Sequence, residues 1–132
     1  MAENSARQNI RVPMQVNVHL LFSNQIYEHC TTRDLSLKGL WVYGCQGQKA
    51  GDFCDIEISE KEVPINRVIR IKGKVVRVDN EGIGILFIDM NLNSYTDLQT
   101  LLIYRSSDPF EVAEEFLDEF NPAKKPDSQN RS

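Results

Sequence analysis

Long apolar runs are missing from this chain, and nothing in it approaches the roughly 20 consecutive apolar residues that a membrane-spanning helix needs. The first segment, Met1 to Asn9, is polar and lacks the apolar stretch of a secretory leader, so a cytoplasmic location is the expectation. Cysteine is scarce and unpaired in pattern. Cys30, Cys45 and Cys54 form no CxxC pair and have no histidine at ligand spacing, so neither a zinc site nor a disulfide framework is expected. A phosphate-cradling GxxxxGK[ST] loop is also missing. His19 and His29 have no Cys, Ser or acidic partner in a recognised catalytic arrangement, so the chain is not expected to be an enzyme, nor to carry a metal or cofactor. Excess positive charge is lacking too, the net charge being -4. Without a global basic field, and with a single tryptophan, Trp41, a nucleic-acid-binding barrel is disfavoured and no nucleic-acid polymer is expected as partner.

What remains is an ordinary composition for one domain: 132 residues, 41% hydrophobic and 26% charged. The charge is unevenly spread. Residues 1–50 carry five basic and three acidic side chains, whereas residues 111–132 carry three basic and six acidic. An anionic ligand would therefore need a few placed arginines.

From Val12 to Phe22, Val16, Val18 and Leu20 alternate with Gln15, Asn17 and His19, the period of a half-buried strand. Ser23-Asn24 reads as a turn, and strands follow at about Ile26–Arg33, Leu40–Tyr43 and Phe53–Ile58. Glu60 to Asn66, with Pro64, reads as a loop. Val68 to Val78 is a long strand whose interior Gly73 suggests a bulge, and it forms a hairpin with Gly84–Ile88 across the Asp79–Gly82 turn. Gly82-Ile83-Gly84 reads as hairpin punctuation. Six or so short strands without intervening helices predict a mainly β fold, a small antiparallel barrel.

The period then changes. Tyr95, Leu98, Leu101 and Leu102 recur at helical spacing, with Asn93 or Ser94 as the expected cap. Asp108-Pro109 opens a second helix, with Glu111 completing a capping box. Val112, Phe116, Leu117 and Phe120 form its apolar stripe, and its other side is acidic. The expected organisation is a flexible ligand-binding arm at 1–11, a barrel with helix at 12–106, an acidic amphipathic helix at 107–121 and a disordered tail at 122–132.

Two constellations carry chemistry. Arg7 and Arg11 lie four apart just before the first strand, and an arginine fork can grip a phosphate or the O6/N7 edge of guanine, or stack on a base. Taken alone, such a pair also reads as solvated surface. Asp34-x-Ser36-x-x-Gly39 lies between two strands. Its carboxylate can accept from guanine N1–H and N2–H, its hydroxyl can donate or accept, and its glycine allows close backbone approach. Taken alone, it also reads as an Asx/Ser turn closed by glycine.

In this order the two motifs resemble those of the PilZ family, whose signature is RxxxR at the start of a small barrel followed by DxSxxG; the likeness runs from Arg7 to Arg105. The resemblance implies a receptor for cyclic di-GMP, bound by Arg7, Arg11, Asp34, Ser36 and Gly39, that signals to a protein effector. A PilZ-like adaptor acting by protein contact without nucleotide is the alternative. The family often has one more arginine directly before RxxxR; here that position is Ala6, and in the family it influences whether one or two ligand molecules bind.

Overall fold

The computed structural model describes residues 11–60, 68–106 and 109–120, the last three of these by backbone alone. Arg7, the expected loop at 61–66, Asp108 with its half of the capping box, the Phe120 side chain and the tail after Asn121 lie outside the described residues.

The described residues form seven strands: β1 (Val12–Pro13), β2 (Asn17–Phe22), β3 (Ile26–Leu35), β4 (Gly39–Tyr43), β5 (Phe53–Ser59), β6 (Ile69–Val78) and β7 (Gly82–Asp89). All pairings are antiparallel. Six strands run β3-β2-β5-β6-β7-β4, and β4 pairs back onto β3, which closes the barrel; β1 is an extra strand on β3. Closure removes the open sheet edges that would otherwise invite pairing with other chains.

The predicted first strand divides in two, and one side chain explains the division. Thr32 of β3, fully buried, donates its hydroxyl to the Met14 carbonyl at 2.9 Å and accepts from the Val16 amide at 3.0 Å. In the gap between β1 and β2 that hydroxyl stands in for the β3 backbone, so the Met14 carbonyl and Val16 amide stay satisfied inside the fold. In β2 the alternation holds, with Val18, Leu20 and Phe22 buried. In β6 the expected irregularity is found as a register shift between Lys72 and Gly73.

Inward residues from every barrel strand, among them Leu20, Leu35, Leu40, Ile56, Ile69 and Ile85, are 0–1% exposed and make one core. Burying side chains of this size stabilises by about 1.5–3 kcal/mol each. Helix α1 (Leu92–Arg105) lies against β6 and adds Leu98, Leu101 and Leu102 to that core. Its cap is Asn91, whose side chain accepts from the Ser94 amide at 2.8 Å, so the helix starts earlier than the predicted Asn93 or Ser94. Ser94 instead accepts the Arg70 amide from β6 through its hydroxyl, which ties the first turn to the barrel. At the other end Arg105 pairs with Glu60 and donates to the Gln15 carbonyl.

Helix α2 (Pro109–Phe120) packs on α1 through Val112 and Phe116. The buried stripe is narrower than the sequence suggests, for Leu117 is 63% exposed; Phe110, outside that stripe, is 86% exposed. Among the described residues no helix is long and apolar enough to cross a membrane.

Candidate functional site

Strand β3 supplies the site because it changes partner along its length. Its first half pairs with β2 and its second with β4, while β1 joins at Leu35 and Asp34. A bulge between Thr32 and Asp34 in the β3–β4 ladder puts two β3 residues across from a single β4 step. Leu35 and its neighbour Leu40 point into the barrel and are fully buried. Asp34 and its neighbour Trp41 therefore face outward, since opposed residues share a face and successive ones alternate.

Asp34 is the centre of a charged cluster. Arg11, just before β1, donates to Oδ1 at 2.5 Å, and Arg33 donates through Nε to Oδ2 at 3.0 Å. The two arginines are about half exposed, whereas the carboxylate side chain is only 12% exposed. Two cations on one carboxylate leave local positive charge at the surface, with both forks still able to donate outward. The Arg33 guanidinium also lies 4.2 Å from the centroid of the Trp41 ring, within cation–π range.

Trp41 rests on a bare strip of β7. It pairs with Gly84, and a Cβ built on Gly82 would lie 2.1 Å from the Val42 carbonyl oxygen and 2.6 Å from the Trp41 ring. Gly82 and Gly84 thus do more than punctuate a hairpin. They leave the space in which the indole lies against the sheet, buried to 4% exposure and edge-on to Tyr43 at 5.2 Å.

Ser36 and Gly39 complete the turn that follows. The Ser36 hydroxyl accepts from the Lys38 and Gly39 amides at 3.1 and 3.2 Å and donates to the Gly39 carbonyl at 3.3 Å. One donor and two acceptor sites are all that a hydroxyl has, so this one is occupied by its own turn. Gly39 begins β4 and is pressed against β7: an added Cβ would lie 2.3 Å from the Ile85 carbonyl oxygen.

The structure therefore brings Arg11 and Asp34 into contact, with the Ser36–Gly39 turn next along the chain. Arg7 lies outside the described residues. Sequence reasoning missed Arg33, which adjoins Asp34 and needed the bulge to be seen, and it weighed Trp41 only as evidence against nucleic acid. The site is an open face. Two depressions among the described residues, about 520 and 460 Å³, lie instead around Leu21, Asp55 and Lys72 on β2, β5 and β6, and neither includes Arg11, Arg33, Asp34 or Trp41. Among the described residues no His/Cys/Asp/Glu cluster has a metal-binding arrangement.

A family model described as PilZ domain matches residues 5–104. No curated protein sequence matches the chain. Solved structures do. The PilZ domain of CeSA from a cellulose-synthesizing bacterium is 18% identical with a TM-score of 0.57, over 71% of this chain and 95% of that one. The PilZ domain of YcgR from Escherichia coli, solved with c-di-GMP, is 12% identical with a TM-score of 0.62, over 80% and 95%. The Bacillus subtilis inhibitor of motility, MotI/DgrA, is 17% identical with a TM-score of 0.64; the match spans 74% of this chain and half of that longer one. At such identities the likeness to these structures is one of fold.

Proposed function

We propose that this chain, which belongs to the PilZ domain family, is a non-catalytic bacterial receptor for cyclic di-GMP that binds on the outer face of β1, β3 and β4 and signals to a protein partner. The observation that carries the reading is the outward Asp34 carboxylate held by two half-exposed arginines beside a buried tryptophan. An acidic acceptor flanked by cationic forks matches a ligand that has both guanine edges and phosphates. That the fold is shared with a PilZ domain solved with c-di-GMP supports the same assignment.

In this reading the Arg11–Asp34 pair is a latch. Guanine N1–H and N2–H donate to Asp34 in place of Arg11, and the released guanidinium turns to a phosphate. Arg33, backed by Trp41, offers its other face for a base to stack on. Arg7 supplies a second phosphate fork. Ser36 and Gly39 act by holding the turn next to the guanine. Ordering the segment that bears Arg7 costs about 1–2 kcal/mol per residue in backbone entropy. Charge-assisted hydrogen bonds, each worth about 1.5–3 kcal/mol, offset that cost. The ordered segment and barrel face then form a surface that a partner can read as a population shift. A receptor for a second messenger made inside the cell carries a cytoplasmic location with it.

A second reading, an adaptor that acts by protein contact without nucleotide, is favoured by the exposed Phe110 and Leu117 on the acidic helix α2. Calorimetric titration with cyclic di-GMP, using cyclic di-AMP and GTP as controls, separates the two. Saturable heat with cyclic di-GMP alone is the expected result, and it also gives the stoichiometry. Silence at high ligand concentration would overturn the receptor reading in favour of the adaptor.

A further inference from the structure

The β3–β4 ladder pairs Thr32 with Val42, so its continuation sets Cys30 across from Gly44. There the chain leaves the strand through two left-handed residues, Gly44 at φ 84° and Cys45 at φ 61°. For cysteine that conformation is strained, because its Cβ crowds the following carbonyl. It folds Cys45 back toward β3 and leaves the two Sγ atoms 3.9 Å apart. Cys30 is half-buried and Cys45 is buried.

We infer that Cys30 and Cys45 are an oxidation site, a dithiol that hydroperoxides convert to an intramolecular disulfide. The chemistry divides unequally between the two sulfurs. The hydrogen bond between the two sulfurs holds Cys30 below the usual thiol range despite its partial burial. The same bond, with burial and nearby thiols adding to it, pushes Cys45 up. Cys30 is thus the more thiolate-like and more accessible sulfur, and attack begins there.

Its thiolate takes the terminal oxygen of the hydroperoxide. The O–O bond breaks, and the departing alkoxide or hydroxide takes up a proton, which leaves Cys30 as a sulfenic acid. Cys45 then attacks the Cys30 sulfur. The S–O bond breaks, the Cys45 proton and the hydroxyl leave as water, and the disulfide forms. Two thiols and one hydroperoxide yield one disulfide, one alcohol (water, from hydrogen peroxide) and one water. Closing the bond takes an approach of about 2 Å, from 3.9 Å to the bonded length. This inference is independent of nucleotide binding.

The test uses the reduced full-length chain and hydrogen peroxide, followed by thiol blocking and non-reducing tryptic mapping. Arg33, Lys38 and Lys49 separate the three cysteines into different peptides. The expected result is a Cys30–Cys45 cross-linked peptide, about 2 Da lighter than its two parts and reversed by dithiothreitol. Free thiols fall from three to one, with Cys54 retained. A cross-link through Cys54, a cross-link between two chains, or three thiols surviving would each overturn the assignment. In Cys45→Ser the same treatment leaves Cys30 as a sulfenic acid that dimedone traps. A dimedone adduct on Cys30 in the unsubstituted chain, equal to that in the variant, would show that Cys45 resolves nothing.

Discussion

Gly39→Ala tests which of two roles the motif glycine plays, closing the barrel or letting a ligand approach. The added methyl would lie 2.3 Å from the Ile85 carbonyl oxygen and 3.3 Å from its carbon, both backbone atoms of β7. That is roughly 1 Å short of ordinary van der Waals contact, and no flexible side chain is available to move aside. Either β4 or β7 must shift. The shift strains the Ser36–Gly39 turn and the Phe87 amide bond to the Lys38 carbonyl, now 2.7 Å. Overpacking of this kind costs about 1–3 kcal/mol, and a disturbed buried hydrogen bond adds about 1–3 kcal/mol. A total near 3 kcal/mol is a large share of the about 5–15 kcal/mol that holds a domain together. At a urea slope of about 1.5 kcal/mol/M the unfolding midpoint should fall by about 2 M. Trp41, the one tryptophan and buried in the fold, reports unfolding by fluorescence. A midpoint within about 0.3 M of the unsubstituted chain would refute the closure argument. If that stable variant had also lost its ligand, the glycine would matter for approach instead.

Arg11→Ala should weaken cyclic di-GMP binding at least tenfold, about 1.4 kcal/mol, when measured by calorimetry. Its unfolding midpoint should hardly move, because a half-exposed ion pair contributes only about 0–1 kcal/mol; unchanged affinity would remove Arg11 from the site. Arg33→Gln removes the charge over Trp41 and one donor to Asp34, so affinity should fall by roughly tenfold or more on the same assay. Asp34→Ala should narrow the preference for cyclic di-GMP over cyclic di-AMP, and a ratio of affinities that stays constant would count against guanine recognition at this carboxylate. Burial pushes the Cys54 thiol up to about 12, with the Asp55 charge adding to the effect. The folded chain therefore keeps this proton where the unfolded chain releases it, so stability from this group is full below pH 9 and declines as pH rises toward 12. Urea midpoints across that window should show a shallower decline in Cys54→Ala than in the unsubstituted chain.

Local pattern carried much of the architecture. The alternation of Val18 and Leu20, the Gly73 interruption and the β6–β7 hairpin were legible because inward and outward faces repeat every second residue. The two helices were legible from their spacing and from Pro109, which stands at the first position of α2. Their ends were less so. Asn91, Asn93 and Ser94 are all competent caps, and the choice fell to Asn91 because Ser94 is engaged with Arg70 on β6. Leu117 belongs to the apolar pattern of α2 yet is exposed, because α1 covers only the face that bears Val112 and Phe116.

The same division runs through the site. Residue identity along the chain determined the chemical vocabulary, namely two arginines, a carboxylate, a serine and a glycine in the order that marks the family. It also determined the strand segments, since periodicity is a property of neighbours in sequence. Tertiary structure decided which of those groups meet. The β3–β4 bulge turned Arg33 toward Trp41, the Gly82–Gly84 strip gave the indole its seat, and the Ser36 hydroxyl was consumed by its own turn. Contacts of that kind join residues distant in the chain through register and barrel closure, and no local spacing encodes them.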